Sequence, residues 1–95
     1  MIPMLIPESC FPLGQLVITA AAAEVLPLDA VEAALARHAK ADWGELDEED
    51  RESNNRALRA GGRLFSQYFA PEGRRFWIIT ECDHSATTIL LPEDY

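Results

Sequence analysis

Residues 63–91 read RLFSQYF-APEG-RRFWIITEC-DHS-ATTILL, in which three runs rich in β-branched and aromatic residues alternate with short groups of turn-forming residues. The runs, Arg63–Phe69, Arg74–Cys82 and Ala86–Leu91, predict an antiparallel three-stranded meander. Side chains alternate along a strand, so the middle run carries large apolar groups on both faces: Phe76, Ile78, Thr80 and Cys82 on one, Trp77 and Ile79 on the other. Both faces of the sheet therefore need cover.

A helix is predicted upstream of the meander, from Leu28 to Lys40. Apolar residues recur there at helical spacing, acids lie near the start and bases near the end, as the helix dipole favours. His38 lies in the last turn with no second ligand-type residue at helical ligand spacing. We expect His38 to complement the dipole or to lie on the surface.

A second helix is predicted to begin at Asp47, its N-cap, and to end at Ala60, before a pair of glycines. In the connector that precedes it, Trp43 is expected to be a buried anchor beside a tight bend at the following glycine. Asn54 and Asn55 are unusual inside a helix, so one of them is expected to hydrogen-bond to the adjoining connector.

The N-terminal part of the chain is predicted to contain a strand, Gln15–Thr19, and a short helix, Ala20–Leu26. Met1–Pro12 is a proline-containing arm that cannot form a regular helix or a central strand, and its part Met1–Ile6 supplies five apolar side chains. It is expected either to pack across its own domain or to dock on a second subunit, and we favour a homodimer. The candidate self-association residues are Met1, Ile2, Met4, Leu5, Ile6, Trp77 and Ile79.

The chain of 95 residues is long enough for one domain, 1–95, made of the arm (1–12), a strand and helices (13–62) and the meander (63–95). The predicted fold class is α+β, with a three- to four-stranded antiparallel sheet and two to three helices on one of its faces.

Charge is unevenly distributed along the chain, whose formal net charge is −8. An acidic surface argues against direct nucleic-acid binding as the function, because such binding requires an excess of lysine and arginine. Seven carboxylates within eleven residues form a candidate partner-binding patch: Asp42, Glu45, Asp47, Glu48, Glu49, Asp50 and Glu52. They favour a basic partner surface, but they are also typical of a solvated helix start that pairs with later arginines.

Several kinds of chemistry find no support in the sequence. The Gly61–Gly62 pair joins a helix to a strand, whereas a phosphate-binding loop joins a strand to a helix. Asp83, His84 and Ser85 are consecutive turn residues, unlike a catalytic triad. Cys10 and Cys82 are expected to be packing residues in a reducing cytoplasm, and no catalytic residue, metal site, cofactor or membrane span is predicted.

Five motifs occur in order along the chain: FPLG (11–14), DWGEL (42–46), EED (48–50) with Asn54 and Ala57-Leu58 after it, WIITE (77–81) and TTILLPEDY (87–95). Together they resemble a family of small uncharacterised proteins encoded on bacterial plasmids, conjugative elements and prophages. The resemblance covers nearly all of the chain from Phe11 onwards and leaves out Met1–Cys10. It implies an accessory protein of a mobile element, for which overcoming host defence is a common role.

We therefore expect a non-enzymatic anti-defence protein, an anti-CRISPR or anti-restriction inhibitor that covers a basic nucleic-acid-binding surface of a host complex with its acidic segment. The alternative is a small dimeric adaptor or regulatory interaction protein of plasmid or phage maintenance. In that case the acidic segment would be only a solvated helix start.

Overall fold

The computed structural model describes residues 9–95 and confirms the α+β class. Within residues 9–95, three helices and four strands occur in the order β1 (Gln15–Ile18), α1 (Ala20–Val25), α2 (Leu28–Ala39), α3 (Glu48–Ala60), β2 (Leu64–Phe69), β3 (Arg75–Thr80) and β4 (Ala86–Leu90), followed by a 3₁₀ turn at Pro92–Asp94. The predicted N-cap is also confirmed, because the Asp47 carboxylate accepts the backbone N–H of Asp50 at 2.8 Å.

The strands form one sheet in the order β1-β4-β3-β2. β2, β3 and β4 are the predicted antiparallel meander, with Ile78 paired to Ser66 on one side and to Ile89 on the other. β1 lies parallel to β4, an orientation that the sequence did not predict. The sheet is therefore mostly antiparallel, with one parallel pair at the β1 edge.

The inner face of the sheet packs against α1 and α2. Phe76 and Ile78 of β3 are almost completely buried there, together with Leu35 of α2. The segment before β1 belongs to the same core, since Phe11 is buried and its ring lies 5.4 Å from that of His38. Met1–Ile6, the apolar part of the predicted arm, lies outside the described residues.

The opposite, outer face of the sheet carries Trp77 and Ile79, as predicted. Ile79 is buried, whereas Trp77 is half-buried between the rings of Phe65 and Tyr95. Tyr95 itself is 67% exposed. Aromatic surface on this face therefore remains open to solvent.

The prediction that both cysteines are packing residues is wrong, because Cys10 and Cys82 are exposed. β3 ends at Thr80, so the alternation that was expected to turn Cys82 towards the core does not extend to it. Cys10 donates its backbone N–H to the carbonyl of Ala39 at 2.9 Å, which places it beside the end of α2.

The free edge of β2 is closed by α3 and by the connector before it. The Asn54 side chain accepts the backbone N–H of Phe65 at 3.1 Å and donates to its carbonyl at 2.5 Å. The Gln67 backbone forms a parallel bridge with the connector at Gly44. Because these backbone groups point outward in the plane of the sheet, α3 lies along the sheet edge.

Replacement of Asn54 by alanine is expected to lower the free energy of unfolding by about 1–3 kcal/mol, because two backbone groups of Phe65 lose their partner. Urea unfolding measures this loss, and hydrogen exchange at the Phe65 amide should accelerate. The exposed neighbour Ser53, changed to alanine, is the control and should leave both measurements unchanged. An Asn54→Ala protein as stable as the control would show that the edge contact does not stabilise the fold.

Candidate functional site

The structure divides the seven carboxylates of residues 42–52 into two groups. The first group serves the fold. The Asp42 carboxylate accepts bonds from the Arg37 guanidinium at 2.8 and 3.2 Å and from the Gly44 N–H at 3.2 Å. The hydrogen bond to Arg37 holds the pKa of Asp42 below its ordinary value. The Asp47 carboxylate caps the N-terminus of α3 by accepting the backbone N–H of Asp50.

The second group is free to meet a partner. Its members are exposed and lie in the first half of α3 or just before it, and no ion pair within 4.0 Å joins them to another residue of the 9–95 region: Glu45, Glu48, Glu49, Asp50 and Glu52. Arg56 follows Glu52 at helical spacing, but these two side chains form no such pair. Pairing with later arginines of the helix, the alternative raised by the sequence, is therefore not the arrangement in the structure.

The helix that carries these acids is fixed in place at its middle. Asn54 holds it to β2, and the neighbouring Asn55 accepts the indole N–H of Trp43 at 3.0 Å. The expected bond from this asparagine pair to the connector is thereby confirmed. Trp43 is 4% exposed, as expected of an anchor. We name Glu48, Glu49, Asp50 and Glu52 the acidic face of α3, a surface whose orientation is set before any partner arrives.

A groove of about 370 Å³ lies between α3 and the outer face of the sheet, and we name it the outer groove. Asp50 and Ser53 line it from the helix, and Phe65 and Trp77 line it from the sheet. The Trp77 indole N–H donates to the Gln67 side-chain carbonyl at 2.9 Å, which fixes the orientation of the ring. Asp50 thus belongs both to the acidic face and to the groove.

Tyr95 closes one side of the outer groove with the help of Arg63. The Arg63 guanidinium lies 5.0 Å from the centre of the Tyr95 ring and donates to the Tyr95 hydroxyl at 2.5 Å. Sequence reasoning assigned Trp77 and Ile79 to a binding surface but missed Phe65 and Tyr95. The alternation of residues 63–69 contained the signal for Phe65, whereas nothing in the sequence places the last residue beside the sheet.

The prediction that His38 lies on the surface or complements the helix dipole is wrong, because His38 is completely buried. Its ring nitrogens bond to hydroxyls on the inner face of the sheet, Nδ1 to Ser66 at 2.5 Å and Nε2 to Thr80 at 2.9 Å. Helical spacing places His38 on the same side of α2 as Ala34 and Leu35, which face the core. Its position along the helix therefore determines its burial.

The hydrogen bonds around His38 run in one direction. The Leu13 carbonyl can only accept, so Thr87 donates to it, and Thr80 then donates to Thr87. Thr80 must in turn accept from Nε2–H of His38, which leaves Nδ1 to accept from the Ser66 hydroxyl. With His38 neutral, each of the three hydroxyl groups donates its hydrogen to an acceptor in this chain of bonds. Burial lowers the pKa of His38 to about 4, which favours this neutral form. This chain of bonds stabilises the core.

The residues Asp83, His84 and Ser85 form the predicted turn between β3 and β4. The Asp83 carboxylate accepts the backbone N–H of Ser85 at 3.0 Å, and bonding to Ser85 lowers the pKa of this exposed acid. His84 adopts a positive φ of 58°, and its ring lies 5.9 Å from that of Phe11. These contacts shape the turn and do not align an acid, a base and a nucleophile.

Within residues 9–95, the described part of the chain, no group of three or more His, Cys, Asp or Glu side chains is arranged to hold a metal ion. No helix in this region has the length and apolar character needed to cross a membrane.

No match was found among protein-family models, curated proteins or solved structures. The resemblance to the mobile-element family stays a prediction.

Proposed function

We propose that this chain is a non-enzymatic anti-defence protein of a mobile element that acts in the host cytoplasm. Its acidic face of α3 would bind the basic, nucleic-acid-binding surface of a CRISPR effector or restriction complex and keep nucleic acid away from it. The observation that carries the proposal is the set of four exposed carboxylates on one rigid helix, unpaired among the described residues.

The spacing of these charges suits a surface made for nucleic acid. A helix rises about 1.5 Å per residue, so the four carboxylates of residues 48–52 supply roughly one negative charge per 1.5–2 Å along the axis. Double-stranded DNA carries roughly one per 1.7 Å. Arginines and lysines arranged for phosphates would therefore meet a similar charge density on α3. The net charge of −8 adds long-range attraction to such a partner.

The proposal is tested in cells that carry an active CRISPR or restriction system and are challenged with targeted phage. Expression of the chain should raise the number of plaques. Such an increase would mean that the chain protects the phage from the host defence. Replacement of Glu48, Glu49, Asp50 and Glu52 by glutamine should abolish this protection. Four exposed charge pairs contribute about 1–4 kcal/mol together, so the affinity for the target should fall by roughly fivefold to several hundredfold.

A matched control separates the acidic face from net charge alone. Glutamine at four other exposed acids, Glu24, Asp29, Glu72 and Glu93, changes the net charge equally and should leave protection and affinity near those of the parent. Both variants should remain folded, and the acidic-face variant should unfold at a lower urea concentration than the control because Glu48, Glu49 and Asp50 favour the N-terminus of α3. An association rate that does not depend on salt, or equal protection by both variants, would contradict an electrostatic mechanism.

The same experiment distinguishes the alternative class. A dimeric adaptor or regulator of plasmid or phage maintenance would give no protection in any strain. It would co-purify with proteins of the mobile element itself. The amount of these proteins that co-purifies would be the same with the parent and with the glutamine variant of the acidic face.

A further inference from the structure

We propose that the outer groove receives one large apolar side chain of the partner, from a segment in which lysine or arginine residues flank that side chain. This inference rests on the proposed function and deepens it, because it describes the partner segment that the acidic face of α3 would meet. The partner is thus a basic peptide segment with a single apolar anchor.

The shape and lining of the outer groove fit such an anchor. Its volume of about 370 Å³ lies at the lower end of the range for small binding sites, about 300–1,000 Å³. Phe65 and Trp77 meet edge to face with their ring centres 4.9 Å apart, and Trp77 meets Tyr95 in the same way at 5.8 Å. Partly exposed aromatic rings that are already held in place lose little freedom on binding, and such rings often dominate the energy of an interface.

The position of the groove joins it to the acidic face. Asp50 and Ser53 turn towards the sheet and line the groove, whereas Glu48 and Glu52, four residues apart, share the outward side of α3. A segment that crosses the first half of the helix would therefore contact the glutamates and reach the groove past Asp50. One partner segment can use both surfaces.

Charge selects a basic partner over a second copy of the chain. The positive group at the groove, Arg63, lies over the Tyr95 ring and 4.0 Å from Glu81, so its charge is already partly balanced. Asp50 in the groove has no ion-pair partner among residues 9–95. Two copies would bring two acidic helices of chains with net charge −8 towards each other, which like-charge repulsion opposes.

The test uses two fluorescent nine-residue peptides of alternating lysine and arginine, one with phenylalanine at its centre and one with serine. Fluorescence anisotropy with the full chain should show that the phenylalanine peptide binds at least tenfold more tightly. Ser53→Trp should fill the groove and reduce the affinity for the phenylalanine peptide to that for the serine peptide. Ala60→Trp, which adds the same ring at an exposed position of α3 outside the groove, is the control and should preserve the tenfold preference.

The triple variant Glu48→Gln, Glu49→Gln and Glu52→Gln, which leaves the groove residue Asp50 unchanged, separates this inference from the proposed function. It should weaken the binding of both peptides and preserve the ratio of their affinities. Equal binding of both peptides to the parent, with both weakened by the glutamine changes, would overturn the groove and leave the acidic face intact. If the glutamine changes did not alter the affinity for either peptide, this result would instead count against the proposed function.

Other occupants of the groove give different results. A second copy would make the parent a dimer in light scattering over a concentration series, and Ser53→Trp would convert it to a monomer. If the arm, Met1–Ile6, occupied the groove, Ser53→Trp would be less stable to urea than Ser53→Ala, and the parent would bind both peptides equally. Either result would overturn the inference.

Discussion

Replacement of Trp43 by alanine is expected to lower the free energy of unfolding by about 3–5 kcal/mol, the usual cost of removing a buried aromatic side chain. The Trp43 ring packs 5.6 Å from the ring of His38 and 6.3 Å from that of Phe11. Its indole N–H binds Asn55 of α3, and its carbonyl accepts the N–H of Gln67 in β2. One residue thus joins α2, α3 and the sheet edge.

Small domains have total stabilities of about 5–15 kcal/mol, so the alanine protein should unfold at a much lower urea concentration. Trp43→Phe is the matched variant. It keeps an aromatic ring and loses the bond to Asn55, for an expected cost of about 1 kcal/mol. An alanine protein with parental stability that had lost only its binding to a partner would make Trp43 an interface residue.

The sequence was sufficient to predict Trp43 and the bend beside it because both follow from local chemistry. Gly44 has a φ of 75°, and a side chain there would place its first carbon 2.1 Å from the Gln67 carbonyl oxygen. Glycine is the residue that permits this approach of the connector to β2. The strands, the helices and the Asp47 cap were predictable for the same reason, since each depends on residues close together in the chain.

Features that depend on distant residues were not predictable from the sequence. Ser66 and Thr80, the partners of His38, follow it by 28 and 42 residues, and only the register of β2 against β3 brings them together. The outer groove likewise requires α3 to lie along the edge of β2. Alternation identified Trp77 as an outer-face residue, but Tyr95 reaches it only through the turn after β4.

The stability of this chain is expected to fall by about 3 kcal/mol as the pH falls from about 6.5 to about 4, because of His38. Burial lowers the pKa of His38 from 6.5 to about 4 in the folded chain. Between these values the unfolded chain binds a proton that the folded chain does not, so each pH unit costs up to about 1.4 kcal/mol. Above pH 6.5 this contribution is complete, and below about pH 4 the folded chain also takes the proton.

Urea unfolding at several pH values between 7 and 4.5 measures this slope, and the second histidine of the chain supplies the control. His38→Gln keeps a donor and an acceptor but cannot take up a proton. It should therefore be less stable at pH 7 and should lose most of the dependence on pH in this window. His84→Asn, at a turn position with positive φ that asparagine tolerates, should retain the parental slope.

The carboxylates with lowered pKa, Asp42 and Asp83, lose their contributions below pH 4, so they do not account for a slope above it. Equal slopes for the parent and His38→Gln would mean that the neutral, directional chain of bonds from Ser66 to Leu13 does not control the acid stability of the fold.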